Sequence, residues 1–214
     1  MEIYKKNDIL FYFLIVILLL CGCSGRYQKV YVNPDVNFGF IKKVAVLPFE
    51  SLSQDKYAGQ KVWNMFITSL LATNAIDVVE LGDVQKALSS LGGADIMEAQ
   101  QGGVWLQSPQ VNTTNIGKEK AMALGQLLGV QAIIQGSVEV YEMKRMQSGS
   151  YPEVCLSMRM TDVKTGNIIW SVNHTERGGR VLPTIFGVGE DSLSKTTLSA
   201  VEKIVETLIY EVKD

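Results

Sequence analysis

His174 and Cys155 are the side chains whose types best suit a general base or a nucleophile. His174 is the sole histidine in the sequence, so any mechanism that needs an imidazole base must use it. It ends a strand-like run beside Glu176, which favours an exposed histidine in a loop. Cys155 falls on the less apolar face of a predicted strand. Arg159 on that face could lower the thiol pKa, but we predict a passive, buried thiol.

Acidic and glycine-rich segments indicate no metal or cofactor site. Asp83, Asp95 and Glu98 lack the spacing of a calcium-binding loop, so we interpret them as solvated surface. The glycines of the run GVG at 187–189 do not follow a strand, and the third glycine of a dinucleotide fingerprint is missing. We therefore predict no catalytic residues, no cofactor and no bound metal, and hence a binding protein rather than an enzyme.

The N-terminal segment differs in kind from the rest of the chain. Lys5 and Lys6 precede an unbroken apolar run from Ile9 to Leu20, and small residues follow it. This order is typical of a secretory signal. The run is also shorter than the roughly 20 apolar residues with which a helix spans a bilayer. We expect residues 1–22 to be removed on export.

The cleavage region LCGC at 20–23 resembles the lipobox of bacterial lipoproteins. The resemblance implies that Cys23 carries the lipid and becomes the N-terminus of the mature chain. Two or more acyl chains anchor a protein stably, and Ser24 in the next position implies the outer membrane. Cys155 would be the remaining thiol, so no disulfide can form within the mature protein. We expect a lipid-anchored protein that faces the periplasm.

Composition limits the size and partners of the folded part. The chain has 214 residues, a formal net charge of -2 and 47% hydrophobic residues, which suits one globular domain with a substantial core. A protein without a strongly basic balance lacks the electrostatic basis for binding a phosphate backbone, so we exclude nucleic acid as a partner. A near-neutral surface is compatible with a homo-oligomer.

The periodicity of apolar residues predicts one α/β domain over residues 41–214, preceded by a lipidated tether over 23–40. We expect a mixed sheet with helices packed on it, a C-terminal antiparallel meander and a closing helix. The predicted strands cover 42–49, 77–81, 131–141, 154–162 and 167–173, and the predicted helices cover 57–73, 83–91, 118–128 and 192–212.

Strict alternation in two of the strands predicts which residues face the core. The inward residues of the strand over 131–141 are predicted to be Ala132, Ile134, Gly136, Val138 and Val140. Those of the strand over 154–162 are predicted to be Val154, Leu156, Met158 and Met160.

Two irregular segments, 92–115 and 175–190, interrupt this pattern. The indole of Trp105 lies among glycine and glutamine, so it either packs on the core or contacts a partner. Apolar residues on a protein surface often mark interfaces. The candidate interface residues are Trp105, Val181, Leu182, Ile185 and Phe186.

Four runs in order resemble the CsgG-like group of bacterial envelope lipoproteins, which includes CsgG, PelC and LpoB. The runs are VAVLPF at 44–49, DVVEL at 77–81, LGVQAIIQGSVEVYE at 128–142 and RMTDVKTGNIIWS at 159–171. The resemblance implies a fold related to the N-terminal domain of TolB. Its motifs are structural, so they predict the fold better than they predict the function.

The resemblance implies three roles. The first is a non-enzymatic accessory component of envelope export or assembly, which oligomerises or docks at the outer membrane. The second is a contact regulator that activates a peptidoglycan synthase. The third is a CsgG-type secretion channel subunit, which is disfavoured because residues 175–190 include Glu176, Arg177, Arg180 and Pro183 and leave little room for a second membrane-crossing hairpin. The expected partners are the membrane and proteins of envelope export or cell-wall synthesis.

Overall fold

A computed structural model describes residues 27–91, 116–146, 149–179 and 192–213. The signal segment over 1–22 and most of both irregular segments lie outside these ranges, and their predicted roles stay predictions. The same holds for the predicted lipidation site and interface residues, namely Cys23, Trp105, Val181, Leu182, Ile185 and Phe186.

The described ranges form seven strands and four α-helices, which confirms the predicted mixed α/β class. The strands are β1 (Tyr27–Val32), β2 (Lys43–Val46), β3 (Glu50–Ser51), β4 (Asp77–Val78), β5 (Ala132–Met146), β6 (Gly149–Asp162) and β7 (Ile168–Arg177). The helices are α1 (Ala58–Ala72), α2 (Leu81–Ser90), α3 (Lys118–Leu128) and α4 (Leu193–Lys213). None of these helices combines the length and the apolar character that a bilayer crossing requires.

The strands form one mixed sheet in the order β1-β7-β6-β5-β2-β4, with β3 paired to β5. Strand β2 runs parallel to both β4 and β5, because helical connections link these strands. Strands β5, β6, β7 and β1 pair antiparallel with one another in that order, which confirms the predicted meander. Helix α4 closes the chain against this half of the sheet.

Helices α1 and α4 cover the first face of the sheet and form the larger core with it. Helix α1 buries Val62, Phe66 and Leu70, whose spacing gives one apolar stripe. The rings of Phe66 and Phe49 lie 5.5 Å apart between centroids. All four predicted inward residues of β6 are buried in this core, as their alternation required.

Helices α2 and α3 cover part of the second face, next to β2 and the beginning of β5. Val84 of α2 and Leu124 of α3 pack there against Ile133. Helix α3 approaches the chain so closely at Gly125 that an added Cβ would lie 2.1 Å from a methyl group of Val163. The apolar core that α2 and α3 form with the sheet contains no residue of β6, β7 or β1, so these helices do not extend it over those strands.

Part of the predicted tether is wrong, because Tyr27–Val32 forms β1 at the edge of the sheet. The strand pairs with β7, from Tyr27 opposite Thr175 to Val32 opposite Trp170. Its first five residues are exposed, so the sequence has no alternation from which a strand could be recognised. The folded unit therefore begins well before Ile41.

A β-bulge corrects one predicted inward residue of β5. The register with β6 shifts between Val138 and Val140, so the extra residue Glu139 reverses the alternation beyond it. Tyr141, rather than Val140, is buried in the core. The two strands also continue to Met146 and from Gly149, which makes the hairpin longer than predicted.

Candidate docking surface

Polar side chains occupy the part of the second sheet face that α2 and α3 do not cover. Residues directly opposite each other on paired strands point to the same side. Gln135 of β5 pairs with Arg159 of β6, and Cys155 of β6 pairs with Thr175 of β7. The polar residues of these three strands therefore lie on one side of the sheet. We define the polar sheet face as Gln135, Ser137, Glu139, Cys155, Ser157, Arg159, Ser171, Asn173 and Thr175. Gln135 and Cys155 are buried in it, and the other residues are half-buried or exposed.

Side-chain hydrogen bonds order the centre of the polar sheet face. The Ser157 hydroxyl donates to Oε1 of Glu139 over 2.5 Å. Asn173 donates from Nδ2 to Oγ of Ser157 over 2.7 Å, so the network joins β5, β6 and β7. Groups held in place by such bonds lose little side-chain entropy when a partner binds. The network therefore preorganises a polar surface for contact.

Strand β1 adds an aromatic border to this surface. By register, Tyr27, Lys29 and Tyr31 lie opposite Thr175, Asn173 and Ser171 and share their side of the sheet. Tyr27 and Tyr31 are 60% and 50% exposed. Tyrosine is enriched at protein interfaces because it combines a large apolar ring with a polar hydroxyl. Aromatic side chains beside an ordered polar network are typical of a protein-docking surface.

An ion cluster closes one end of the surface around Glu153. Lys144 and Arg177 lie 3.0 Å and 2.7 Å from the two carboxylate oxygens. Burial opposes ionisation of Glu153, but the hydrogen bonds from Lys144 and Arg177 outweigh it and lower the pKa of this carboxyl. The cluster ties together the ends of β5, β6 and β7.

The lowered pKa of Glu153 gives a stability change with a defined pH window. A carboxyl whose pKa falls on folding stabilises the protein above its ordinary value of 4.5, and this stabilisation is lost as pH falls through the folded value. We expect Glu153→Gln to lower the free energy of unfolding most near neutral pH, with the gap to wild type closing below 4.5. Denaturant unfolding at a series of pH values measures the gap, and a gap that does not change with pH would contradict the assignment.

Cys155 is buried, as predicted, but Arg159 does not activate it. Nε of Arg159 donates instead to Oε1 of Gln135 over 3.0 Å. Burial raises the pKa of the Cys155 thiol, against an opposing hydrogen bond from Thr175. The nearby Glu139 carboxylate raises the pKa further. The arrangement favours the neutral thiol over the nucleophilic thiolate.

The thiol of Cys155 should consequently resist modification in the native protein. We expect a soluble disulfide reagent such as Ellman's reagent to react at least about tenfold more slowly with the folded protein than after unfolding in guanidinium. Cys155→Ser in the mature chain serves as the blank. Equal rates in the two states would mean that the thiol is accessible and activated.

His174 does not lie in an exposed loop, which corrects the sequence-based interpretation. It belongs to β7, is only 1% exposed and points to the core face. Its Nε2 lies 2.9 Å from Oε2 of Glu176, and Nζ of Lys203 donates to the same oxygen over 2.6 Å. The carboxylate thus joins β7 to α4, and the imidazole lies beneath that helix rather than on the surface. We infer a structural role for this trio.

Asp83 is the one candidate cation-binding residue within the described ranges, and it lies on the solvated surface. Asp83 is exposed and its carboxylate lies 3.7 Å from Nζ of Lys86. Asp95 and Glu98 lie outside the described ranges. Among the described residues, no three metal-binding side chains cluster together.

Residues 73–175 match the model of one protein family. That family is the peptidoglycan-synthase activator LpoB. The matched segment contains all nine residues of the polar sheet face, which lie between Gln135 and Thr175. It also includes α2, α3 and all of β5 and β6. The LpoB match therefore covers the whole polar sheet face, but not Tyr27, Lys29 and Tyr31 of β1.

Solved structures show the same fold. The PelC dodecamer from Paraburkholderia phytofirmans is 18% identical, with a TM-score of 0.51 over 86% of this chain and 96% of that chain. Lipoprotein GNA1162 from Neisseria meningitidis is 16% identical, with a TM-score of 0.51 over 80% of this chain and 98% of that chain. No curated protein matches the chain. The solved structures show the fold, and the family match gives a likeness to LpoB over residues 73–175, whereas the specific likeness to CsgG and TolB stays a prediction.

Proposed function

We propose that the mature protein is an outer-membrane lipoprotein that activates a peptidoglycan synthase by direct contact from the periplasm. The observation that carries the proposal is the LpoB family match over residues 73–175. The contact is made by the polar sheet face together with Tyr27, Lys29 and Tyr31. The protein performs no chemistry itself, in keeping with a family described as an activator.

The chemistry of this surface suits a protein partner. Exposed tyrosines supply apolar contact area near the sheet edge, and Glu139, Ser157 and Asn173 supply oriented polar groups at its centre. Lys29 and Arg159 place positive charges on the same side of the sheet as the negative charge of Glu139. A partner therefore needs both acidic and basic groups in matching positions, which gives specificity.

The family match favours the second of the three roles expected from the sequence over the first. The likeness to PelC is at 18% identity and concerns the fold, so it does not favour a role in export. Export through a ring of subunits remains the alternative. Trp105 and the apolar residues of 181–186 remain candidates for a second contact in either role.

Binding to purified synthases tests the proposal and separates the two roles. We would measure the affinity of the mature protein for each bifunctional peptidoglycan synthase of the same organism, together with the mass of the complex by light scattering. Saturable binding of one copy to one synthase supports contact activation. Closed rings of the protein alone, with no affinity for any of these synthases, would support export instead.

The proposal requires a lipid on Cys23, because this lipid is what anchors the mature chain after the signal segment has been removed. We expect mass spectrometry of the membrane-extracted protein to show an acylated N-terminal peptide that begins at Cys23. Cys23→Ala should abolish the lipopeptide, while Cys21→Ala should leave it in place. Recovery of a mature protein that retains residues 1–22 would refute the assignment.

A further inference from the structure

The hairpin of β5 and β6 projects from the end of the sheet at which β1 begins. Tyr27 pairs with Thr175, Thr175 with Cys155 and Cys155 with Val140, so Tyr27 and Val140 lie on one level across the sheet. Strand β5 continues for six residues from that level to Met146. At 3.3 Å per residue, the hairpin reaches about 20 Å beyond Tyr27.

The lipidated cysteine lies close to that same end. Tyr27 follows Cys23 by four positions in the chain, and an extended chain spans at most about 14 Å over that distance. The membrane to which a lipid on Cys23 holds the protein is therefore within about 14 Å of the first residue of β1. Because β1 runs antiparallel to β5, its beginning points towards the end from which the hairpin projects. If the strands stand perpendicular to the membrane, the hairpin extends about 20 Å from the level of Tyr27, which is further than the roughly 14 Å that the tether spans.

The side chains near the end of the hairpin suit a membrane surface. Met143 and Met146 are 43% and 47% exposed, although both are apolar. Arg145 is exposed and adds a positive charge that the ion pairs of Lys144 and Arg177 do not use. Apolar side chains enter the boundary between headgroups and acyl chains, and cations attract anionic headgroups. The charges of Glu142, Lys144 and Arg145 would keep this segment in the headgroup region.

We propose that Met143, Arg145 and Met146 rest on the lipid surface to which Cys23 anchors the protein. Met146 lies at the acyl boundary, Met143 lies about 10 Å higher among the headgroups, and Arg145 binds the phosphate of an anionic phospholipid. The lipid anchor and this contact together hold the strands upright. The polar sheet face then stands perpendicular to the membrane plane and does not contact the lipid. This inference rests on the lipidation of Cys23 and does not depend on which protein the polar sheet face contacts.

A fluorescent label at position 146 tests the contact in the lipidated protein. We would couple an environment-sensitive dye to Met146→Cys in a Cys155→Ser background, and reconstitute the protein in vesicles of phosphatidylethanolamine and phosphatidylglycerol. Lys164→Cys is the matched control, since Lys164 is exposed in the turn at the opposite end of the sheet. We expect a blue shift and a severalfold fall in iodide quenching at position 146, with neither change at position 164.

Charge reversal tests the role of the arginine. Arg145→Glu should remove most of the protection of the label at position 146, whereas Lys164→Glu should leave it unchanged. Equal quenching at positions 146 and 164, or protection that survives Arg145→Glu, would overturn the proposal. The lipopeptide mass measured on the same sample shows that the anchor is intact. A failure to activate a synthase would leave these label signals unchanged, so the two proposals fail separately.

Discussion

Trp170→Ala is expected to lower the free energy of unfolding by about 3–5 kcal/mol. Trp170 is fully buried and lies in β7 between its partners Val32 of β1 and Met160 of β6. Its removal leaves a cavity under α1 and α4, and the sheet cannot close over it without losing strand pairing. A loss of this size is a large part of the roughly 5–15 kcal/mol that stabilises a typical domain.

Chemical denaturation of the mature protein measures this loss. Tyr210→Ala is the matched control, because Tyr210 is an aromatic residue that is largely exposed on α4. We expect its effect to stay within about 0.5 kcal/mol. If the two variants unfolded at the same denaturant concentration, Trp170 would not lie in the core that the fold assigns to it.

Ser157→Arg is expected to weaken synthase binding about 30-fold or more, which corresponds to roughly 2 kcal/mol at the centre of an interface. Ser157 joins Glu139 and Asn173 at the middle of the polar sheet face. An arginine there breaks the network and places a long charged side chain where a partner must approach closely. Because the side chain can extend into solvent, the thermal midpoint should change little.

Ser199→Arg is the matched control for this substitution. Ser199 is also half-buried, but it lies on α4, which covers the opposite face of the sheet. Affinity for the synthase should remain at the wild-type value in this variant. Equal losses for Ser157→Arg and Ser199→Arg would show that the polar sheet face is not the contact surface.

Elements with one buried face could be predicted from the sequence. Strand β6 alternates from Val154 to Met160 because its odd and even positions meet different surroundings, so its inward side follows from hydrophobicity alone. Helices α1, α3 and α4 likewise show an apolar stripe. The bulge at Glu139 could not be predicted, because an inserted residue leaves no mark on the hydrophobic pattern beyond a change of phase.

The candidate surface could be predicted only in part. The polar alternation of Cys155, Ser157 and Arg159 is visible in the sequence, and it indicates a side of the sheet that no apolar layer covers. The contribution of β1 is not visible, since an edge strand exposed on both sides has no periodicity. His174 is buried on the core face, where Glu176 joins it to Lys203 of a distant helix, and local sequence holds no sign of that contact.

The rate of glycan-chain polymerisation by a purified synthase of the same organism tests the central claim most directly. The rate would be measured with lipid-linked precursor in the presence and absence of the mature protein. We predict a severalfold rise that saturates at one copy per synthase, persists with Ser199→Arg and is lost with Ser157→Arg. An unchanged rate at saturating concentrations, for every bifunctional synthase that the organism makes, would contradict activation by contact.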